Sequence, residues 1–300
     1  MSNEKNKNII ITRAIATLLV IFAHSTRIYT PVGAIPGISY NSALNIITNF
    51  IYMFHMPLFF VISGYVFCLC VKNNKYSNKI DFVKNKFNRL IIPYLFFGLL
   101  YVAPVMCLLK LSDLNYVDYV IKNILLLQDS RHLWFLPVLF AIFVIESIIG
   151  VRTSKKRKVF LVLLLVAQPF MNLITINLFA NIIKYGLFFE VGVVLAEMNM
   201  SKNKCLIIGL LLVIVFVVCF FLNYTNIFIQ IVATLGVFLI INSLTNTSLS
   251  ESWIIKIIDK YSMGIYLFHP MIIYMFYSIP IIKSFNPYIN ILLSSTTALL

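Results

Sequence analysis

The stretch IIITRAIATLLVIFAHSTRIY, residues 9–29, decides the fold class. It is apolar enough to cross a bilayer, yet it carries Arg13 and His24 inside the span. On a helix, eleven residues separate two side chains by about 16–17 Å along the axis and only about 20° around it. An arginine toward one membrane face and a histidine toward the other therefore share one stripe. Counted from Ile9, His24 lies about 22 Å into a hydrocarbon layer about 30 Å thick. Ionisable groups at such depth are expensive and usually mark a functional path.

The rest of the chain agrees with a membrane setting. Of its 300 residues 61% are hydrophobic and 11% are charged, where a soluble domain has about 25% charged residues. Continuous apolar runs imply helices, since barrel strands alternate polar and apolar residues. The expected fold is an all-α polytopic bundle forming a single integral-membrane domain over residues 1–300. The formal charge of +14 does not point to nucleic acid, because the cations sit in short clusters between spans. Cys68, Cys70, Cys107, Cys205 and Cys219 fall in or beside apolar runs without redox or zinc spacing. The N-terminus does not read as a cleaved signal peptide, since Arg13 interrupts its apolar region.

The clusters orient the spans. Lys5 and Lys7 favour a cytoplasmic N-terminus. Spans are expected at about 9–29, 42–70, 90–109, 133–150, 159–176, 182–198, 205–222, 227–243 and 261–279. Lys72, Lys75, Lys79, Lys84, Lys86 and Arg89 mark one cytoplasmic loop, and Arg152, Lys155, Lys156, Arg157 and Lys158 mark another, two spans later. The segments 110–132 and 244–260 are expected to be connecting loops. A tenth apolar run from Tyr288 to Leu300 is shorter than the about 20 residues a crossing needs. The last of about ten helices is therefore expected to be incomplete.

His24, His55 and His269 lie inside expected spans, and His132 at the outer mouth of another. Each is alone on its span, without the carboxylate or repeat spacing of a metal site, so no metal is expected. A lone buried histidine is commonly a hydrogen-bonded packing residue. The stripe shared with Arg13 singles out His24. Glu146, Glu190 and Glu197 are buried acids that suit either ion pairing or a proton path. In the second span Pro57 and the Ser63-Gly64 pair predict a bent helix with a small hydrogen-bonding spot.

At these residues the chain resembles the acyltransferase-3 family of membrane-bound sugar O-acyltransferases, over nearly its whole length. Arg13 and His24 match the family's first-span arginine–histidine pair, and Phe54–Tyr65 its second-span motif. Lys86-Phe87-Asn88-Arg89 stands where the family usually has two arginines. Lysine keeps the charge there but not the bidentate geometry toward phosphate. His132-Leu133-Trp134-Phe135-Leu136 and the run from Tyr261 to Pro270 are further signatures. The chain resembles the stand-alone members, without a C-terminal esterase-like domain.

The resemblance implies transfer of an acyl group, most often acetyl from acetyl-CoA, to a hydroxyl of a cell-surface polysaccharide or its lipid-linked precursor. The location it implies is the bacterial cytoplasmic membrane. The partners are acyl-CoA, the glycan acceptor and membrane lipids. Arg13, Lys86, Arg89 and Ser63 are the expected donor-binding residues. His24 is the expected general base, with a transient acyl-histidine as its alternative role. His132, Trp134, Tyr266 and His269 are assigned to the acceptor side, where Trp134 and Tyr266 also suit aromatic-belt positions. A competing reading is a polysaccharide transporter or flippase with Glu190 and His269 as relay groups. The absence of a visible inverted repeat counts against it.

Overall fold

A computed structural model describes all residues except 1–2, 34, 74–77, 150–153, 199, 245–248, 250 and 300, and the described part is helical without strands. Lys75 and Arg152 of the two basic clusters lie outside the described residues. The elements are α1 (Asn3–Arg27), α2 (Ser42–Tyr52), α3 (His55–Lys72), α4 (Lys79–Leu108), α5 (Tyr116–Tyr119), α6 (Phe135–Ile149), α7 (Ser154–Ala167), α8 (Asn177–Glu197), α9 (Lys202–Phe221), α10 (Ile227–Leu244), α11 (Trp253–Ser278) and α12 (Pro287–Thr297). Among the described residues six helical segments are long and apolar enough to cross a membrane: Lys7–Arg27, Ser42–Lys72, Lys79–Leu108, Arg131–Ile148, Asn177–Glu197 and Lys202–Phe221. Val159–Met171 and Ile227–Ser243 are apolar but shorter.

Local chemistry explains where these helices begin. Asn41, Asn78, Asn115 and Asn286 each stand before a helix and accept a hydrogen bond from a backbone N–H of its first turn. The bend expected around Pro57 falls just ahead of it, as a turn at Met53-Phe54 between α2 and α3. Pro57 thus sits in the first turn of α3, where its missing N–H costs no intrahelical bond.

Three expected loops are corrected. Lys79, Lys84, Lys86 and Arg89 lie on the first part of α4, and residues 253–260 of the segment 244–260 belong to α11. Segment 110–132, expected as a loop, carries α5 and a π turn at Val120–Leu125. Asn78 and Asn115 cap the starts of α4 and α5, while α11 starts at Trp253 without a side-chain cap and runs ahead of the apolar stretch that sequence hydropathy detects. Helix α4 also contains π turns at Phe87–Ile91 and Gly98–Val102. Each ends two residues before a proline, Pro93 or Pro104. A proline ring clashes with the carbonyl four residues back, here Arg89 or Leu100, and the wider turn moves that carbonyl aside.

The chain divides into two compact units: residues 1–62 with 198–300, and residues 63–197. In the first unit α1 packs against α2, α10, α11 and α12. Ile21, Ile28, Tyr29, Leu44, Ile273, Tyr277 and Ile291 form one of its buried clusters. Interhelical hydroxyl contacts supplement the packing, as expected where no water competes: Thr48 Oγ1 donates to Thr26 Oγ1 at 2.8 Å and Ser295 Oγ to Ser25 Oγ at 3.1 Å. Helices α9 and α10 approach closely through facing glycines. A Cβ on Gly209 would stand 3.1 Å from the Gly236 carbonyl oxygen, and one on Gly236 3.2 Å from that of Gly209.

In the second unit α8 packs against α6 and α7, and α4 against α6. Phe67, Phe82, Phe143 and Phe189 meet in a cluster with ring centroids 5.4–6.0 Å apart. Gly64 lets α3 lie against the backbone of α8: a Cβ there would overlap the Phe189 carbonyl oxygen and stand 2.8 Å from the carbonyl carbon.

Candidate active site

In the first unit α1 is unbroken from Asn3 to Arg27, so the stripe from Arg13 to His24 exists as a rigid rod. At its Arg13 end, Nε of Arg13 donates to Oδ1 of Asp259 on α11 at 2.6 Å. Nearby, Lys7 pairs with Glu251 at 3.0 Å and holds that carboxyl below its usual range. Asn8 Nδ2 donates to Asn242 Oδ1 at 2.7 Å. Three polar links therefore fasten this end of α1.

The Arg13–Asp259 pair is partly exposed, with side-chain exposures of 38% and 15%. Its worth is accordingly nearer the about 0–1 kcal/mol of a solvent-exposed pair than the about 3–5 kcal/mol lost when a buried pair is broken. Asp259→Ala is expected to cost about 1 kcal/mol of thermal stability in detergent, on the exposed-pair scale. A loss several times larger would show the pair to be dry.

At the other end, His24 meets His269 of α11, with ring centroids 5.0 Å apart in a T-shaped contact. His269 is fully buried. Its Nδ1 lies 3.0 Å from the carbonyl oxygens of Ile265 and Tyr266. A carbonyl only accepts, so Nδ1 carries the proton and Nε2 is the basic nitrogen. His55 is set the same way, with Nδ1 3.0 Å from the Ile51 carbonyl. Tyr52 stands between, 6.1 Å from His24 and 4.5 Å from His55 by ring centroids. Arg27 Nη1 donates to the Tyr52 hydroxyl at 3.2 Å, and its guanidinium also lies over the Tyr52 ring. A narrow opening lined by His24, Arg27, Gly33, Pro270 and Tyr274 reaches this cluster.

Of the expected site residues in this unit, His24, Tyr266 and His269 come together, while Arg13 stands at the opposite end of α1 with Asp259. Sequence reading missed Arg27, Tyr52 and Asp259 as partners. Arg27 follows His24 by three residues on the same helix face, a signal that was present. Asp259 lies 246 residues from Arg13, and nothing local announces it.

In the second unit Lys86 and Arg89 differ. The Lys86 ammonium lies 4.0 Å from the Phe143 ring centroid and 5.4 Å from that of Phe82. Arg89 is exposed, in a shallow depression lined also by Asp81, Lys84, Asn85 and Asn88. The two cations are thus not a matched pair, since Lys86 is held by aromatic faces. Trp134 lines a 170 Å³ cavity with Asp129, Arg131, Asn177 and Asn181, and stacks on Tyr185 at 4.8 Å. His132 is buried and is not among the residues lining that cavity. Leu127 and Arg131, on the cavity's edge, have φ of 57° and 50°, strained backbone of the kind that gathers at functional sites. Ser63 lies next to Gly64 on α3. Among the described residues no group of His, Cys, Asp and Glu comes together in a way that would hold a metal ion.

These features define a helical membrane protein in which one long helix joins a paired arginine to an imidazole cluster. The acyltransferase-3 family model, described as an acyltransferase domain, matches residues 6–300, and the chain belongs to that family. No curated protein and no solved structure gives a match.

Proposed function

We propose that this acyltransferase transfers acetyl from acetyl-CoA to a hydroxyl of a cell-surface polysaccharide or its lipid-linked precursor. It does so in the bacterial cytoplasmic membrane, with about ten spans and a cytoplasmic N-terminus. The observation that carries the reading is the His24–His269 contact at one end of a helix whose other end is fixed by Arg13 and Asp259. His24 takes the proton of the acceptor hydroxyl as the oxygen attacks the thioester carbonyl. The carbon–sulfur bond then breaks, and the imidazolium returns the proton to the leaving thiolate, giving CoA as the free thiol. Tyr266 and His269 orient the His24 ring, and the Arg27–Tyr52 pair borders the acceptor. His132 and Trp134 are assigned to the acceptor side in the second unit.

Donor phosphates are assigned to basic groups that each unit carries separately. Asp259 occupies Nε of Arg13, leaving its two Nη groups to donate to an anion. In the second unit Arg89 is the exposed phosphate contact, and Lys86 and Ser63 are assigned to the donor as well. Arg89→Ala is expected to raise the apparent KM for acetyl-CoA by about tenfold or more, since a hydrogen bond to a charged group contributes about 1.5–3 kcal/mol. Steady-state kinetics in proteoliposomes with varied acetyl-CoA would measure it, and an unchanged KM would remove Arg89 from the donor site.

A further inference from the structure

The second unit holds a buried group of charges that the acyl-transfer reading does not use. Glu190 of α8 is fully buried and Glu146 of α6 is 3% exposed. Their carboxyl groups lie against one another. Neither oxygen of Glu190, nor Oε1 of Glu146, has a hydrogen-bond partner among the described residues. The cation beside them is Arg157 of α7, itself only 8% exposed. Its Nε stands 3.9 Å from Glu190 Oε2, while its Nη1 is hydrogen-bonded to Glu197 on the same face of α8. From α3, the Cys68 thiol lies against Arg157, and Lys72 Nζ donates to the Ala196 carbonyl at 3.5 Å.

Two ionised carboxylates are acceptors only, so they repel at contact and leave each other's oxygens unsatisfied. A single added proton reverses both effects. The protonated carboxyl becomes a donor to its ionised neighbour, and one buried negative charge disappears. Arg157 does not achieve this alone, because its closest bond goes to Glu197 and its approach to Glu190 is long for a hydrogen bond. We infer that Glu146 and Glu190 form a proton-binding site inside the second unit, holding one proton between them at neutral pH with Arg157 and Glu197 as its flanking ion pair. The site is independent of the acyl-transfer assignment and binds a proton whatever acyl group or acceptor the protein uses.

Infrared spectroscopy of the full chain in nanodiscs tests this directly. With glutamate carrying a carbon-13 carboxyl label, only the chain's five glutamates report in the shifted carboxyl bands. The expected result at neutral pH is a protonated-carboxyl stretch that moves in heavy water and disappears in both Glu190→Gln and Glu146→Gln. It persists in Glu197→Gln. Absence of that stretch from the unmutated protein would overturn the inference without need of any variant, and so would its persistence in both glutamine variants. Loss of the stretch on adding sodium ions at constant neutral pH would also overturn it, by showing a metal cation to be the occupant.

Discussion

His24→Ala is expected to lower acyl transfer by about 10²–10⁴-fold, the usual contribution of a positioned general base. The side chain is half-buried at the end of α1, so its removal leaves the helix, the Arg13–Asp259 pair and the Ile21–Ile28 packing in place. The loss should therefore appear in kcat with the protein present at normal level. Mass spectrometry of esters on the surface glycan measures it in cells, and glycan export should continue. Undiminished esterification would sink the base assignment, whereas lost export with intact acylation would point to transport. His269→Ala should cost less than His24→Ala, because His269 orients a base and does not itself take the substrate proton.

The largest structural effect is expected at Gly64. Even alanine would drive a Cβ into the Phe189 carbonyl of α8, and a backbone oxygen has no rotamer by which to withdraw. Overpacking costs about 1–3 kcal/mol where side chains yield, so Gly64→Leu should lie at or above the top of that range. Thermal unfolding in detergent would record it as a lower midpoint or as failure to purify. A midpoint equal to that of the unmutated protein would mean that the helices part freely at this contact. Serine next door is a useful control, since Ser63→Ala removes a hydroxyl and adds no volume.

What the sequence made legible follows from the range over which each signal acts. The membrane class and the Arg13–His24 stripe are local, set by apolar runs and by helical periodicity, and both stand in the structure. Helix starts were misread where hydropathy ended but capping continued. Asn78 begins α4 well before its apolar run, turning Lys79–Arg89 from a loop into a helix. Partners distant in sequence were out of reach. The approach of His269 to His24 depends on how α11 packs against α1, and no spacing in either segment encodes it. Lys86 illustrates a subtler limit: its charge was visible, but its position over the Phe82 and Phe143 rings, which separates its role from that of Arg89, arises only from packing.

The division of the first unit into residues 1–62 and 198–300 has a consequence for synthesis. Arg13 leaves the ribosome 246 residues ahead of Asp259. At about 5–20 residues per second, that interval is about ten to fifty seconds. For that time α1 resides in the membrane with an arginine that has not met its carboxylate, while the whole second unit is being made. Because the pair is partly exposed, water and lipid phosphates can serve the guanidinium during that interval, and the first unit is completed only after α11 and α12 have both arrived.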